Sequence, residues 1–159
     1  MELSLPAIYL RKKSNLSNPN KIKGSAFEKL TVDLLNELIR NSEWKKIPGS
    51  GMIGTIFGEP LLTADVVGKV KSIPKGFKVE CKVGYNPSTD KEVKSFSLKK
   101  EWLDKVKMEA AASFSLPMLM GKFSGARSGV KVFAVLDIED FAEIINHITD
   151  LQEALDKKE

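Results

Sequence analysis

Phe77-Lys78-Val79-Glu80-Cys81-Lys82-Val83 alternates apolar and charged side chains and is entered through Pro74-Lys75-Gly76. Alternation at period two is the pattern of a β-strand with two unlike faces. Phe77, Val79, Cys81 and Val83 are assigned to a core, and Lys78, Glu80 and Lys82 to the opposite face. Working outward, Ala64-Asp65-Val66-Val67-Gly68 reads as a short buried strand and residues 44–47 as another. Phe27, Leu30, Leu34, Leu35 and Leu38 recur at helical spacing, which predicts an amphipathic helix over residues 25–41. On the other side, Trp102, Leu103, Val106 and Ala110 mark a helix over residues 98–115. Residues 117–123 and 130–136 read as strands, and residues 138–155 as a closing amphipathic helix. The order helix, three strands, helix, two strands, helix predicts an α/β fold, a central mixed β-sheet flanked by helices.

The chain has 159 residues, 42% hydrophobic and 29% charged, which excludes a wholly disordered chain and predicts one domain with its own core. The longest weakly polar run, residues 110–120, is broken by Ser113, Ser115 and Pro117 and falls short of the roughly 18 residues a membrane span needs. No signal-peptide layout precedes it, and a single cysteine, Cys81, forms neither an internal disulfide nor a multi-thiolate cage. The expected location is cytoplasmic, with no membrane partner. Charge is unevenly spread: residues 1–129 carry 22 basic and 13 acidic side chains, a net of +9, whereas residues 130–159 carry three and eight, a net of −5. Residues 11–24 hold five cations, Arg11, Lys12, Lys13, Lys21 and Lys23, and no anion. The expected organisation is a flexible basic arm over residues 1–24 and a single domain over residues 25–159. A basic majority of the chain suits a polyanion such as nucleic acid, and the arm is placed to track phosphates.

The chemistry concentrates on Asp65, Glu80 and Lys82. Glu80 and Lys82, two apart on a strand, point the same way with α carbons roughly 6.5 to 7 Å apart. If the Asp65 strand pairs with the Glu80 strand across the 69–76 turn, two carboxylates meet and offer the oxygen ligands that Mg²⁺ prefers. The main-chain carbonyl of Cys81 can complete that shell, and Lys82 can orient a water for metal-assisted phosphodiester hydrolysis. The plainer alternative is that Glu80 and Lys82 form the charged solvent face of an edge strand. His147, the only histidine, reads as an ordinary helix residue.

The helix bearing Phe27-Glu28, the Gly49-Ser50-Gly51 loop, Asp65 on its short strand and Val79-Glu80-Cys81-Lys82-Val83 resemble, in this order, the PD-(D/E)XK nuclease superfamily. Within it they are most similar to the archaeal and viral Holliday junction resolvases, over residues 22–136. The resemblance implies a restriction-endonuclease-like core and a DNA endonuclease dependent on Mg²⁺, with Mn²⁺ as a substitute. It implies action on branched DNA in recombination and repair, and a homodimer, since a junction needs two matched cuts. Glu28 corresponds to the superfamily's first-helix glutamate, which joins the metal site, Asp65 and Glu80 to the metal-binding acids, and Lys82 to the lysine. Ser50 corresponds to a serine that the resolvases place after their first strand. Two departures stand out: Ala64 occupies the position of the superfamily's proline, and residues 52–64 make a longer connection than the resolvases use. The alternatives are a non-catalytic nucleic-acid-binding module of the same fold and a nuclease of another branch acting on flaps or single strands.

Several of these residues have a structural reading beside the functional one. Ser25 and Glu28 have the spacing of a capping box, Ser50 suits a turn, and Trp102 has the spacing of a core residue. Lys105 and Glu109 read as surface. For a dimer interface the candidates are Met118-Leu119-Met120 and the closing helix with Phe141, Ile144, Ile145 and Ile148.

Overall fold

The computed structural model describes residues 19–49, 63–84 and 92–158. Along the chain these form α1 (Pro19–Leu38), β1 (Ser42–Lys46), β2 (Val66–Val70), β3 (Gly76–Val83), α2 (Lys100–Ala111), β4 (Ser115–Lys122), β5 (Val132–Val135) and α3 (Ile138–Asp156). The strands make one five-stranded sheet in the order of the sequence. All neighbours are antiparallel except β3 and β4, which run parallel with Val79 opposite Met118 and Glu80 opposite Leu119. A parallel pair needs a crossover, and α2 provides it. The result is the expected α/β architecture, a mixed sheet flanked by helices.

The alternating segment forms the middle strand, β3, and each face carries a helix. Phe27, Thr31 and Leu35 of α1 are buried on the side of Phe77 and Val79, in a core that includes Trp44, Val66, Leu116, Met118 and Met120. On the other face α2 buries Val106 and Ala110, and Leu119 of β4 is fully enclosed. The charged face of β3 is therefore largely covered, with only Lys82 partly exposed. Lys78 is 1% and Glu80 4% exposed, which removes the reading of an edge strand kept soluble by alternating charge.

Three differences from the sequence reading have physical causes. First, α1 starts at Pro19, ahead of Ser25, because proline at the first helical position lacks only an N–H that would be unpaired there anyway. Lys21 and Lys23 therefore lie on the helix. Ser25 and Glu28 are interior to it and form no capping box; both accept hydrogen bonds from Lys46, at 2.6 Å to Ser25 Oγ and 2.8 Å to Glu28. Second, Met118, Leu119 and Met120 are buried within the subunit, so that segment is not available as an interface. Third, α2 begins later and ends earlier than the predicted 98–115.

Close approaches fix β1 and α3. The Asn36 side chain on α1 behaves like a strand neighbour for β1, accepting the Trp44 N–H at 3.0 Å and donating to the Trp44 carbonyl at 3.1 Å. Trp44 lies opposite Gly68 and its ring covers that glycine, 5.3 Å from the Phe77 ring centroid. At the far end, Asp137 caps α3 by accepting the Asp140 N–H at 2.9 Å. Lys107 pairs with Asp137, Glu139 and Asp140, Lys75 pairs with Glu143 at 2.8 Å, and His147 donates to the Ser72 carbonyl. Ile144 packs against the core, whereas Phe141, Ile145, Ile148 and Leu155 are exposed.

The Trp44–Gly68 contact generates a stability prediction. A Cβ at position 68 would sit 2.0 Å from Trp44 Cε3, so Gly68→Ala forces the ring or the strand to move and should cost about 1–3 kcal/mol. Gly24, on α1, has nothing within 4 Å of a built Cβ, and Gly24→Ala should instead add about 0.5–1 kcal/mol. Urea denaturation of the two variants beside the wild type should give shifts of opposite sign; equal midpoints would refute the account.

Candidate active site

The β2–β3 hairpin assembles the site. The β2–β3 pairing ends at Val66 opposite Val79, and Asp65 lies one residue ahead of β2. The main chain of Asp65 is held from both sides: its N–H donates to the Val79 carbonyl at 3.1 Å, and its carbonyl accepts the Ile47 N–H at 3.0 Å. Its carboxylate then accepts the Cys81 N–H at 2.8 Å. A side-chain oxygen thus takes the ladder donor that would otherwise look for a main-chain partner beyond the end of β2.

The preceding residue makes this possible. Ala64 has φ 78°, a left-handed conformation that costs a non-glycine residue about 1–2 kcal/mol. Proline, with φ locked near −65°, cannot adopt it, which accounts for alanine where the superfamily's name has proline. The turn is held by Lys78, whose Nζ donates to Thr63 Oγ1 at 2.5 Å and to the Thr63 carbonyl at 3.4 Å. The buried Lys78 ammonium therefore anchors the approach to Asp65.

Glu80 lies between two ammonium groups. Its Oε1 is 2.7 Å from Lys82 Nζ and its Oε2 is 3.2 Å from Lys105 Nζ. Lys105 also reaches Glu109 at 3.7 Å, one turn along α2. Lys82 sits over the Trp102 ring, 5.2 Å from its centroid, and Lys99 approaches the same ring at 5.5 Å. Trp102 is thus half-buried and serves as a cation platform. On the α1 side, Glu28 is held by Lys46, and Cys81 Sγ donates to Thr31 Oγ1 at 3.6 Å.

Electrostatics bind these groups into one site. Burial, together with the negative charge of Glu80, raises the Asp65 pKa to about 6; the Cys81 N–H and Lys82 pull the other way, and Glu28 adds to the rise. Burial pushes the Cys81 thiol up to about 12, and Asp65, Glu28 and Glu80 all add to that rise. A thiol so strongly held neutral does not serve as a thiolate ligand, which leaves Cys81 its main chain to offer. Glu28, Asp65, Glu80, Cys81 and Lys82 are therefore within electrostatic reach of one another. Ser50, Arg11, Lys12 and Lys13 lie outside the described residues; Lys21 and Lys23 lie on the opening turns of α1, with Lys23 exposed.

The donor set suits a hard divalent cation. Among the described residues no three of His, Cys, Asp and Glu converge as a ready-made cage. Mg²⁺ does not require one, because it keeps several waters and is usually held by one or two carboxylates together with substrate phosphates. An Asp65 carboxylate shifted toward its protonated form by burial and by the charge of Glu80 is an arrangement that a cation would relieve.

The sequence reading left Lys105 and Glu109 on the surface and did not single out Lys46 or Lys78 as partners of the candidate site residues. A signal existed for the first two: Val106 and Ala110 set the buried face of α2, and each charged residue precedes one of them, at the margin of that face. No pattern pointed to the burial of Lys78, since alternation places it on the face of Glu80 and Lys82 without showing what covers that face.

The Asp65 pKa gives a pH prediction. An acid whose folded pKa lies above its unfolded value near 3.8 binds more protons in the folded state, so its contribution to stability falls as pH rises from about 4 to about 6 and stays low above that. Asp65→Asn keeps an oxygen for the Cys81 N–H and removes the charge. It should therefore raise stability at pH 7 to 8, by up to about 3 kcal/mol, and make little difference below pH 4. Melting curves across that range check this; a variant less stable than wild type at pH 8 would contradict it.

A profile of the phage putative PDDEXK endonuclease family matches residues 19–155, a span that includes Glu28, Asp65, Glu80 and Lys82 and runs from the first residue of α1 to the last turn of α3. No curated protein and no solved structure matches the chain. With the mixed sheet, its flanking helices, Asp65 just ahead of β2 and Glu80 and Lys82 on β3, the match places the chain in the PD-(D/E)XK superfamily, as a member of the phage PDDEXK endonuclease family.

Proposed function

We propose that the protein is a Mg²⁺-dependent endodeoxyribonuclease that acts on branched DNA in the manner of a Holliday junction resolvase, with Mn²⁺ as an alternative cofactor. The observation that carries the catalytic part is the Asp65 carboxylate, bonded to the Cys81 N–H and with its pKa raised by burial and by the charge of Glu80. Carboxylates perturbed by burial and a specific charged neighbour cluster at functional sites. Asp65, Glu80 and the Cys81 carbonyl would hold the cation, with Glu28 joining directly or through water. Bound there, a divalent cation supplies polarisation of the scissile phosphate and a water of lowered pKa. Lys82, steadied by Trp102 and Glu80, orients the attacking water and holds its negative charge as it forms. Ser50 is assigned a further catalytic role, and Arg11, Lys12, Lys13, Lys21 and Lys23 the DNA backbone, the last two from the first turns of α1. Such an enzyme works in the cytoplasm.

The homodimer belongs to the same reading. Resolving a four-way junction takes two sites related by a two-fold axis, and an isologous interface needs a self-complementary apolar patch. Support comes from α3, whose acidic residues face Lys75 and Lys107 while Phe141, Ile145, Ile148 and Leu155 remain exposed. None of those four carries charge, so a second copy meets no like-charge repulsion along them.

Cleavage of linear, single-stranded, flapped and four-way DNA, with and without Mg²⁺, tests the activity. Junctions should be cut best and only with the cation. Asp65→Ala and Glu80→Ala should each lower the rate by roughly 10²–10³-fold or more while DNA binding is kept or strengthened, because a ligand and a negative charge are lost together. Lys82→Ala should lose activity with less effect on cation binding. Wild-type cleavage by a folded acid variant would refute the metal site. DNA binding with no cleavage of any substrate by the wild type would favour the non-catalytic module, and preference for flaps or single strands would favour another branch of the superfamily.

Light scattering at micromolar concentration tests the assembly. The wild type should run as a dimer, and Ile145→Glu with Ile148→Glu should give a folded monomer that nicks junctions without resolving them. A wild-type monomer would refute the dimer and leave the cleavage chemistry untouched.

A further inference from the structure

Glu80 is the most heavily engaged carboxylate of the site. Lys82 takes one of its oxygens at 2.7 Å, Lys105 takes the other at 3.2 Å, and the Glu80 side chain is 5% exposed. Two ammonium groups already neutralise it, one on each oxygen, so a divalent cation that binds Glu80 competes with them for it. The two lysines are not equivalent. Lys82 rises from the same strand and is steadied over the Trp102 ring, whereas Lys105 reaches in from α2 and is about half exposed. One turn along α2 lies Glu109, whose Oε1 is 3.7 Å from Lys105 Nζ. The other oxygen of Glu109 is buried and has no hydrogen-bond partner among the described residues. A buried acceptor without a donor is costly, and Lys105 is the cation next to it.

We propose that Lys105 is a placeholder for the divalent cation: it neutralises Glu80 while the site lacks the metal and, when the metal binds, moves to the open oxygen of Glu109. This rests on the reading of Asp65 and Glu80 as metal ligands. Lys105 is then a positioning residue, acting on the metal through Glu80. The Lys105–Glu109 pair sets how tightly the cation is held, because binding trades the Glu80 contact of Lys105 for a closer contact with Glu109, whose buried oxygen then gains its donor. Neither residue needs to touch DNA.

The exchange predicts effects of opposite sign at two neighbouring positions. Ca²⁺ serves as the probe, with affinity read on the full chain by titration calorimetry and by the Ca²⁺-induced rise in melting temperature. Lys105→Met removes the competitor and should tighten Ca²⁺ binding roughly two- to fivefold, the factor that a half-exposed ion pair is worth. Glu109→Gln removes the destination and should weaken binding by a similar factor. In the Lys105→Met background, Glu109→Gln should have no further effect. Lys105 is half exposed, so Lys105→Met is expected to fold; if it melts without cooperativity, Lys105→Gln takes its place. Unchanged or weaker binding on removal of Lys105, or unchanged or tighter binding in Glu109→Gln, overturns the placeholder role. Wild-type Ca²⁺ binding that is lost in Glu80→Ala would then leave the metal site standing. A wild type that takes up no Ca²⁺ overturns both.

Discussion

The Asp65 carboxylate occupies a place in the β2–β3 ladder that ordinarily belongs to the main chain. By accepting the Cys81 N–H at 2.8 Å it closes the end of the hairpin, and in doing so it comes within reach of the Glu80 charge. The left-handed Ala64, the Lys78–Thr63 clamp and the two main-chain bonds of Asp65 all serve that placement. The interaction has two uses at once: it satisfies a donor that would otherwise be orphaned in a half-buried strand, and it fixes one carboxylate where a second already stands. The electrostatic cost is written into the raised Asp65 pKa.

The second constraint is the cover over the charged face of β3. A strand that carries Lys78, Glu80 and Lys82 on one side would ordinarily be an edge. Here α2 covers that side, and the burial is workable because each charge meets a counter-charge or a polar group: Lys78 with Thr63, Glu80 with Lys82 and Lys105, and Lys82 with Trp102 as well. Partnered in this way, ions tolerate desolvation that an isolated one would not.

How far the sequence revealed this can be judged residue by residue. β3 and its hairpin with β2 were legible because period two and the Pro74-Lys75-Gly76 turn agreed, and from them Asp65, Glu80 and Lys82 emerged as one group. The start of α1 was not, since Ser25 and Glu28 imitate a cap while Pro19, the effective first residue, sits in a stretch that reads as polar arm. Burial of Lys78 was hidden because alternation reports which face a side chain takes and not what lies over that face. Met118-Leu119-Met120 was ambiguous for a related reason: an unbroken apolar run suits an interior strand and an interface equally. Lys105 and Glu109 escaped because charged pairs four apart occur on almost any exposed helix, and only the neighbouring strand gives this pair a task.

α3 is attached differently from everything else in the molecule. It has no fully buried residue, and much of its hold on the body consists of exposed ion pairs, the His147–Ser72 hydrogen bond and the partial packing of Ile144. Contacts of this kind are worth little each, so the helix belongs to the low-stability end of the molecule, whereas β3, paired on both sides and covered on both faces, belongs to the high end. Amide protons of α3 should therefore exchange with solvent through a local opening that leaves the sheet and its carboxylates intact, while those of β3 wait for global unfolding. The exposed apolar helix is thus tied to the body by contacts separate from those that hold Asp65 and Glu80.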